Sequence, residues 1–396
     1  MIVPQVIFWT GIFLIFYTYV LFPSILYLLA RKYLTGEKKP EDPPLKTTGE
    51  LPFLSVIIAA YNEEPVIEAK IRSVLEADYP KEKLEVLVGS DASTDRTNEI
   101  LMNLKEKHQA VQVFIFDRRT GKPGVVNRLA AESRGEILVI TDANVMLDVN
   151  TFLELAGSFS DQRVGLVDTR MVNTRLKKDG ISHQEKFYIN REVRIKHHES
   201  LIWGSMMGPF GGCYAVRKAL YHPVPDQFLV DDFYVNMAVL KKGFNCISNL
   251  NAMVYEDVSN DLKEEFRRKK RISAGNFQNL SKFGSLLFSR KSGVAFCFLS
   301  HKVIRWIVPF LVLVTLATSV YLGLENWFYF SLALLQMVIL FIPVIDHFLR
   351  KLKIHNIPLR FISHLVLMNL ALMAGFIRYI GGIKSNVWQP TRRNQD

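Results

Sequence analysis

The sequence predicts an α/β protein, a doubly wound and mostly parallel sheet flanked by transmembrane helices. Three observations carry this reading. Between Leu51 and Leu280, short apolar runs alternate with helical patterns in the order β-α-β-α-β-α-β, an alternation that builds parallel sheets. Three of those runs stop at polar residues, Tyr61-Asn62-Glu63, Asp91 and Asp142. In an open α/β sheet, ligands bind beyond the carboxyl ends of the strands. Outside this region lie four apolar stretches, each near the roughly 20 residues that a membrane-crossing helix needs.

The elements follow in order. Residues 1–30 contain no charged side chain, and 1–31 read as an N-terminal transmembrane helix. The stretch lacks the basic start and small-residue cleavage site of a signal peptide. Arg31-Lys32 and Lys38-Lys39 follow, and the positive-inside rule puts them in the cytoplasm with the N-terminus outside. Residues 32–50, with Pro40, Pro43 and Pro44, read as a linker. Leu54–Ala60 is a continuous apolar strand, with a helical pattern from Pro65. A second strand over 84–90 stops at Asp91, where Ser93 or Thr94 is placed to cap a helix over 95–108. Val111–Phe116 is a third strand, 122–133 a helix and 136–141 a fourth strand. That fourth strand runs into Asp142-Ala143-Asn144. Alone, this is either a plain turn or the oxygen ligands of a hard divalent cation. Residues 186–200 form a charged helical stretch, and Asp231-Asp232 open a helix through Leu240, with Asp231 suited to cap it. Residues 281–300 read as an interfacial helix, 301–383 as a region of about three transmembrane helices, and 384–396 as a tail. The basic link Arg350-Lys351-Leu352-Lys353 falls in the cytoplasm by helix count, in agreement with the first signal.

Composition excludes some classes. The net charge is +11, but much of the excess flanks the apolar runs. Attraction to anionic lipid head groups accounts for it more simply than nucleic acid. Cys213, Cys246 and Cys297 are far apart and form no metal or redox spacing. No Gly-x-Gly-x-x-Gly follows the first strand and no Gly-Lys-Ser/Thr loop is present, so dinucleotide and P-loop sites are not indicated.

Four ordered motifs carry a family resemblance: Ala59-Ala60-Tyr61-Asn62-Glu63, Ser90-Asp91-Ala92-Ser93-Thr94-Asp95, Gly121-Lys122-Pro123-Gly124-Val125-Val126-Asn127 and Asp142-Ala143-Asn144. The chain resembles family 2 glycosyltransferases, in particular the membrane-embedded branch of cellulose, chitin, hyaluronan and poly-N-acetylglucosamine synthases. The resemblance implies a GT-A fold over residues 51–280, a catalytic domain on the cytoplasmic side, and an integral protein of a bacterial inner or plasma membrane. It implies inverting transfer from a UDP-sugar, a hexose or N-acetylhexosamine, to a growing β-linked polysaccharide. A non-processive transfer of one sugar to a lipid-linked acceptor is the alternative. An inactive membrane scaffold or partner subunit is a rival of another class, and three carboxylates, Asp91, Asp142 and Asp232, argue against it.

Roles carry over residue by residue. Asp91 matches the acceptor for the uracil N3–H, and Ala60, Tyr61 and Glu63 match the pocket for base and ribose. Lys122 is the expected diphosphate partner, a point charge near a polyanion. Asp142 and Asn144 would hold Mg²⁺ or Mn²⁺ against the diphosphate. Because Asn144 is neutral where the family often has a second Asp, metal binding is expected to depend on the nucleotide. Gly208 to Arg217 resembles the acceptor loop, with Gly211, Gly212 and Asp231 on the acceptor side. Asp232 matches the general base. Arg268-x-x-Arg271-Ile272 stands where processive members carry Gln-x-x-Arg-Trp. Arg271 keeps the diphosphate-binding charge; Arg268, also assigned to the donor side, and Ile272 depart from the pattern, and Ile272 lacks the aromatic face expected beside an acceptor sugar.

Overall fold

The computed structural model describes residues 2–36, 50–174, 181–257, 261–291, 293–352, 354, 356–383 and 385–387. Most of the expected linker and of the 384–396 tail lies outside them. Eight strands form one sheet in the order β3-β2-β1-β4-β7-β6-β8-β5. They are β1 (Leu54–Ala60), β2 (Leu84–Asp91), β3 (Val111–Phe116), β4 (Ile137–Asp142), β5 (Met146–Leu147), β6 (Val164–Thr174), β7 (Cys213–Arg217) and β8 (Asn245–Asp257). β1 pairs in parallel with β2 and β4, and β2 with β3. β7 runs antiparallel between β4 and β6. This reversal brings the glycine loop before β7 against the end of β4, where Asp142 N donates to the Gly212 carbonyl at 2.9 Å.

Both faces of the sheet are covered, which is why β1 and β2 are buried at every residue. Val56, Ile58 and Ala60 point into one core, with Ile67, Ile71 and Leu101. Ile57 and Ala59 point into the other, with Val125, Leu129 and Phe233.

The helices outside the strands are α1 (Ile2–Phe16), α2 (Phe22–Leu34), α3 (Ile67–Leu75), α4 (Thr97–Lys107), α5 (Gly121–Glu132), α6 (Thr151–Ser158), α7 (Ser182–Trp203), α8 (Asp231–Lys241), α9 (Leu262–Phe283), α10 (Val294–Cys297), α11 (Ile304–Gly323), α12 (Trp327–Lys351) and α13 (Ile357–Ile380). Among the described residues, four stretches are long and apolar enough to cross a membrane: Ile2–Leu34, Val294–Gly323, Trp327–Lys351 and Ile357–Ile380. The first joins α1 to α2 through one wide turn, Tyr17–Leu21, and the second joins α10 to α11 through another, Phe298–Val303. The two wide turns meet. Tyr17 Oη lies 2.8 Å from Ser300 Oγ, and Thr18 Oγ1 donates to the Ser300 carbonyl at 2.9 Å. The α/β layer joins this bundle through α7 against α2 and α9 against α13.

Three sequence expectations are corrected here. Residues 281–300 are not one interfacial helix. α9 ends at Phe283, and Gly293, at φ +79°, breaks the path where the Trp203 ring leaves no room for a side chain. Residues from Val294 onward belong to a stretch long and apolar enough to cross a membrane. Neither Ser93 nor Thr94 caps α4. Asn62 takes both, receiving the Thr94 N–H on its side chain at 2.8 Å and donating its own N–H to Ser93 Oγ at 3.1 Å. Asp231 does not cap α8 either: it is already the first helical residue, and Val230 precedes it without a side-chain cap.

Gly11 packs so closely on Thr315 of α11 that a β-carbon would sit 2.5 Å from its methyl group. Small residues let membrane helices approach in this way. Gly11→Val is expected to destabilise the α1–α11 contact by about 1–3 kcal/mol, read as a lower unfolding midpoint in detergent, with no change in secondary structure content.

Candidate active site

The carboxyl ends of β1, β2 and β4 converge beside the start of α8. An open cavity of about 990 Å³ begins there. Glu63, Lys122, Asp142, Asn144, Gly211, Gly212, Asp231, Asp232, Arg268 and Arg271 all line it. Ala60 does not; it is fully buried under the sheet, and its neighbour Ala59 faces the cavity instead.

Lys122 stands at the centre. Its ammonium is 2.6 Å from Asp142 Oδ1, 3.8 Å from Asp231 Oδ2 and 3.3 Å from the Gly211 carbonyl oxygen. Burial opposes its charge, but Asp142 and Asp231 outweigh burial and hold its pKa above the ordinary lysine value. Asp231 Oδ2 is buried and has no hydrogen-bond partner, with the Lys122 ammonium 3.8 Å away. Asp232 accepts the Phe233 N–H at 2.8 Å. Burial, then the neighbouring Asp231, push the Asp232 carboxyl up to about 7, against the pull of Lys122. A carboxylate with that pKa is a suitable proton acceptor near neutral pH.

Asp91 is fully buried at the end of β2. Its oxygens accept the backbone N–H groups of Thr120 at 2.6 Å and Gly121 at 3.0 Å, and its Oδ2 pairs with Arg119 Nε at 3.0 Å. The Arg119 guanidinium also stacks 3.2 Å above the centre of the Tyr61 ring. Asp91 and Tyr61 are thus brought together, with Arg119 between them.

The residues at the end of β4 fit a hard cation in part. Asp142 offers a carboxylate and Asn144 an amide oxygen, while Asn144 Nδ2 is turned to Glu256 at 3.4 Å. Among the described residues, no three His, Cys, Asp or Glu side chains cluster closely enough to hold an ion. Octahedral Mg²⁺ needs about six oxygens, so most ligands would come from a bound diphosphate and water.

Sequence reasoning missed four groups that shape the site. Lys70, wholly buried, donates to Thr141 Oγ1 at 2.9 Å and to the Val145 carbonyl, and so braces the 142–144 turn from beneath. Asp168 receives the Phe210 N–H at 3.3 Å and pairs with Lys196 at 2.5 Å, which fixes the glycine loop from α7. Arg119 completes the set. The available signal was Lys196 on the same helical face as Glu192 and Glu199 of α7, spaced as a buried stripe would be.

Gly211 takes φ +78°, and a side chain there would collide with the Asp232 carboxylate. Gly211→Ala is therefore expected to cost about 1–3 kcal/mol from backbone strain alone, and to displace Asp232. Chemical denaturation reads the first effect, and the NMR titration of Asp232 the second.

Comparison with known proteins gives this geometry its class. The family model described as glycosyl transferase family 2 matches residues 55–223. A probable glycosyltransferase, YdaM, of Bacillus subtilis is 26% identical over 260 residues, 61% of this chain and 59% of its own length. A beta-monoglucosyldiacylglycerol synthase of Nostoc sp. is 28% identical over 174 residues, 43% of this chain and 37% of its own. The chain thus spans less than two thirds of the curated relatives it matches. A solved mannosyltransferase from Pyrobaculum calidifontis, in complex with GDP-Man and Mn²⁺, superposes with TM-score 0.69 over 94% of this chain and 99% of that chain, at 22% identity. That likeness extends the shared GT-A-like fold through the flanking helices. Residues 55–223 thus match the glycosyl transferase family 2 model, and the chain is similar over part of its length to glycosyltransferases.

Proposed function

We propose that this protein moves a single hexose or N-acetylhexosamine from a UDP-sugar, with inversion, to a lipid-borne acceptor at the cytoplasmic face of a membrane. One observation carries this reading. The cavity that begins at Lys122 and Asp142 continues past Asp232 to apolar residues of α13, including Phe361, Leu365 and Met368, on a helix long enough to cross a membrane. A donor nucleotide fits the polar end and a lipid chain the apolar end. The lipid-glycosylating name of the Nostoc relative supports the same acceptor class. Ile272, also in the cavity wall, offers no aromatic ring for a sliding glycan, which favours one addition over polymerisation.

In this reading Asp232 takes the proton of an acceptor hydroxyl. The acceptor oxygen forms a bond to the anomeric carbon as the bond from that carbon to UDP breaks. Lys122 shifts from Asp142 toward the diphosphate, and Arg271, which donates to the Leu229 carbonyl at 3.1 Å, adds charge beside it. Asp91 and Tyr61 receive the base once Arg119 swings aside. A divalent ion, bound through Asp142 and Asn144, would neutralise charge on the departing diphosphate.

Purified protein in detergent, given UDP-sugars and lipid acceptors, is expected to release UDP and make a product one sugar heavier by mass spectrometry. A ladder of longer products would overturn single addition. Asp232→Asn is expected to lower kcat by about 10²–10⁴. The carboxylate is the active form, so the rate should fall below about pH 7 and level off above it. Lys122→Met removes a group that lowers the Asp232 pKa, so the acid limb of kcat/KM should move to higher pH.

Metal affinity tests the cation site. Calorimetry with Mn²⁺ alone is expected to show weak binding, and with UDP present much tighter binding that Asp142→Asn abolishes. Equally tight Mn²⁺ binding without nucleotide would contradict this ligand set.

A further inference from the structure

The membrane end of the cavity carries more positive charge than its protein partners neutralise. α7 supplies Arg191 and Glu192 there, and the wide turn before α11, with α11 itself, supplies Lys302 and Arg305. All four line the cavity that holds Asp232. Glu192 is ion-paired to Arg305, lies 3.0 Å from His301 Nε2 and is 3.5 Å from Lys302 Nζ. His301 Nδ1 is 2.7 Å from Glu199, which also accepts the Met207 N–H at 2.9 Å. Arg191 donates to the Tyr19 carbonyl, and the guanidiniums of Arg191 and Arg305 stand 5.8 and 5.7 Å from the same Tyr19 ring. Lys196 is already paired with Asp168. Three fixed cations, Arg191, Lys302 and Arg305, therefore face two carboxylates, Glu192 and Glu199.

Arg305 marks where the missing charge belongs. It is 9% exposed, and its Nε and Nη2 are buried without a hydrogen-bond partner. Glu192 pairs with the Nη1 side of the guanidinium, and buried N–H donors left unpaired on the other side are costly. The idle pair of N–H donors forms the planar fork that binds phosphate oxygens two at a time. The same cavity is lined by the apolar residues Val20, Phe187, Leu365 and Met368.

We propose that Arg305, with Lys302 and Arg191, binds the phosphate group of a lipid whose chain lies along α13. This rests on the lipid-acceptor reading and deepens it: the acceptor is a phosphate-bearing lipid whose attached sugar presents its hydroxyl to Asp232. An anionic phospholipid of the bilayer offers the same chemistry, and the test separates the two.

The full chain in detergent is titrated with dodecyl phosphate, dodecanol, inorganic phosphate and a short-chain phosphatidylglycerol. Arg305→Lys keeps a charge for Glu192 but loses the idle fork. Lys302→Gln is the second variant, and UDP binding reports that each variant is folded. Dodecyl phosphate is expected to bind and dodecanol not, with Arg305→Lys weakening binding about tenfold or more while UDP affinity stays unchanged. Equal dodecyl phosphate affinity in both variants, or equal binding of dodecanol, overturns the site. Binding of inorganic phosphate as tight as dodecyl phosphate overturns the lipid. Phosphatidylglycerol that fills the site without slowing sugar transfer overturns the acceptor role and assigns the site to bilayer lipid. The two readings fail separately. Arg305-dependent dodecyl phosphate binding without UDP release from any donor supports the site and removes the transfer. Equal transfer to a phosphate-free lipid by wild type and Arg305→Lys keeps the transfer and overturns the site.

Discussion

One ammonium group, that of Lys122, allows Asp142, Asp231 and Asp232 to share a cavity. They arrive from the end of β4 and the start of α8, and like charges at such separations repel unless a cation lies among them. Lys122 reaches that point because α5 begins directly after the loop that Asp91 holds. The sheet order places the strand ends side by side, the buried Asp91 fixes the helix start, and the helix start aims the lysine. In the proposed reading, a donor diphosphate would compete for the same charge.

The second half of the chain serves this centre from behind. α7 is charged along its length yet largely packed inside the protein, because its buried charges each have a task. Lys196 and Asp168 hold the glycine loop, Glu199 holds Met207, and Glu185 meets His364 of α13 at 2.8 Å. The helix thereby couples the floor of the site to two apolar helices. Buried polar networks of this kind give a rigid arrangement when fully satisfied.

Much of this was legible in the sequence, for identifiable reasons. The strand ends were readable because continuous apolar runs stop abruptly at Tyr61, Asp91 and Asp142, and a strand buried on both faces leaves no other pattern. Gly211 and Asp232 were readable as members of one site, but not as touching neighbours. Arg119, Lys70 and Asp168 were not readable. Each acts through a partner far along the chain, and local pattern holds no trace of such a contact. The break at Gly293 was hidden for the same reason, since Trp203 sets it from 90 positions away. Ser93 and Thr94 had the chemistry of caps, but Asn62, held at φ 52°, outcompeted the helix for them.

The paired wide turns at Tyr17–Leu21 and Phe298–Val303 have a consequence for biogenesis. Their hydrogen bonds join residues 283 and 282 positions apart. At about 5–20 residues per second, a ribosome needs roughly 15–60 s to supply the second helix after the first has been made. Throughout that interval Tyr17 and Thr18 sit in the first helix without their native partners, and the whole catalytic layer is made before they arrive. Closure of the bundle is thus a late event in synthesis, and the first helix must persist without its counterpart until that emerges.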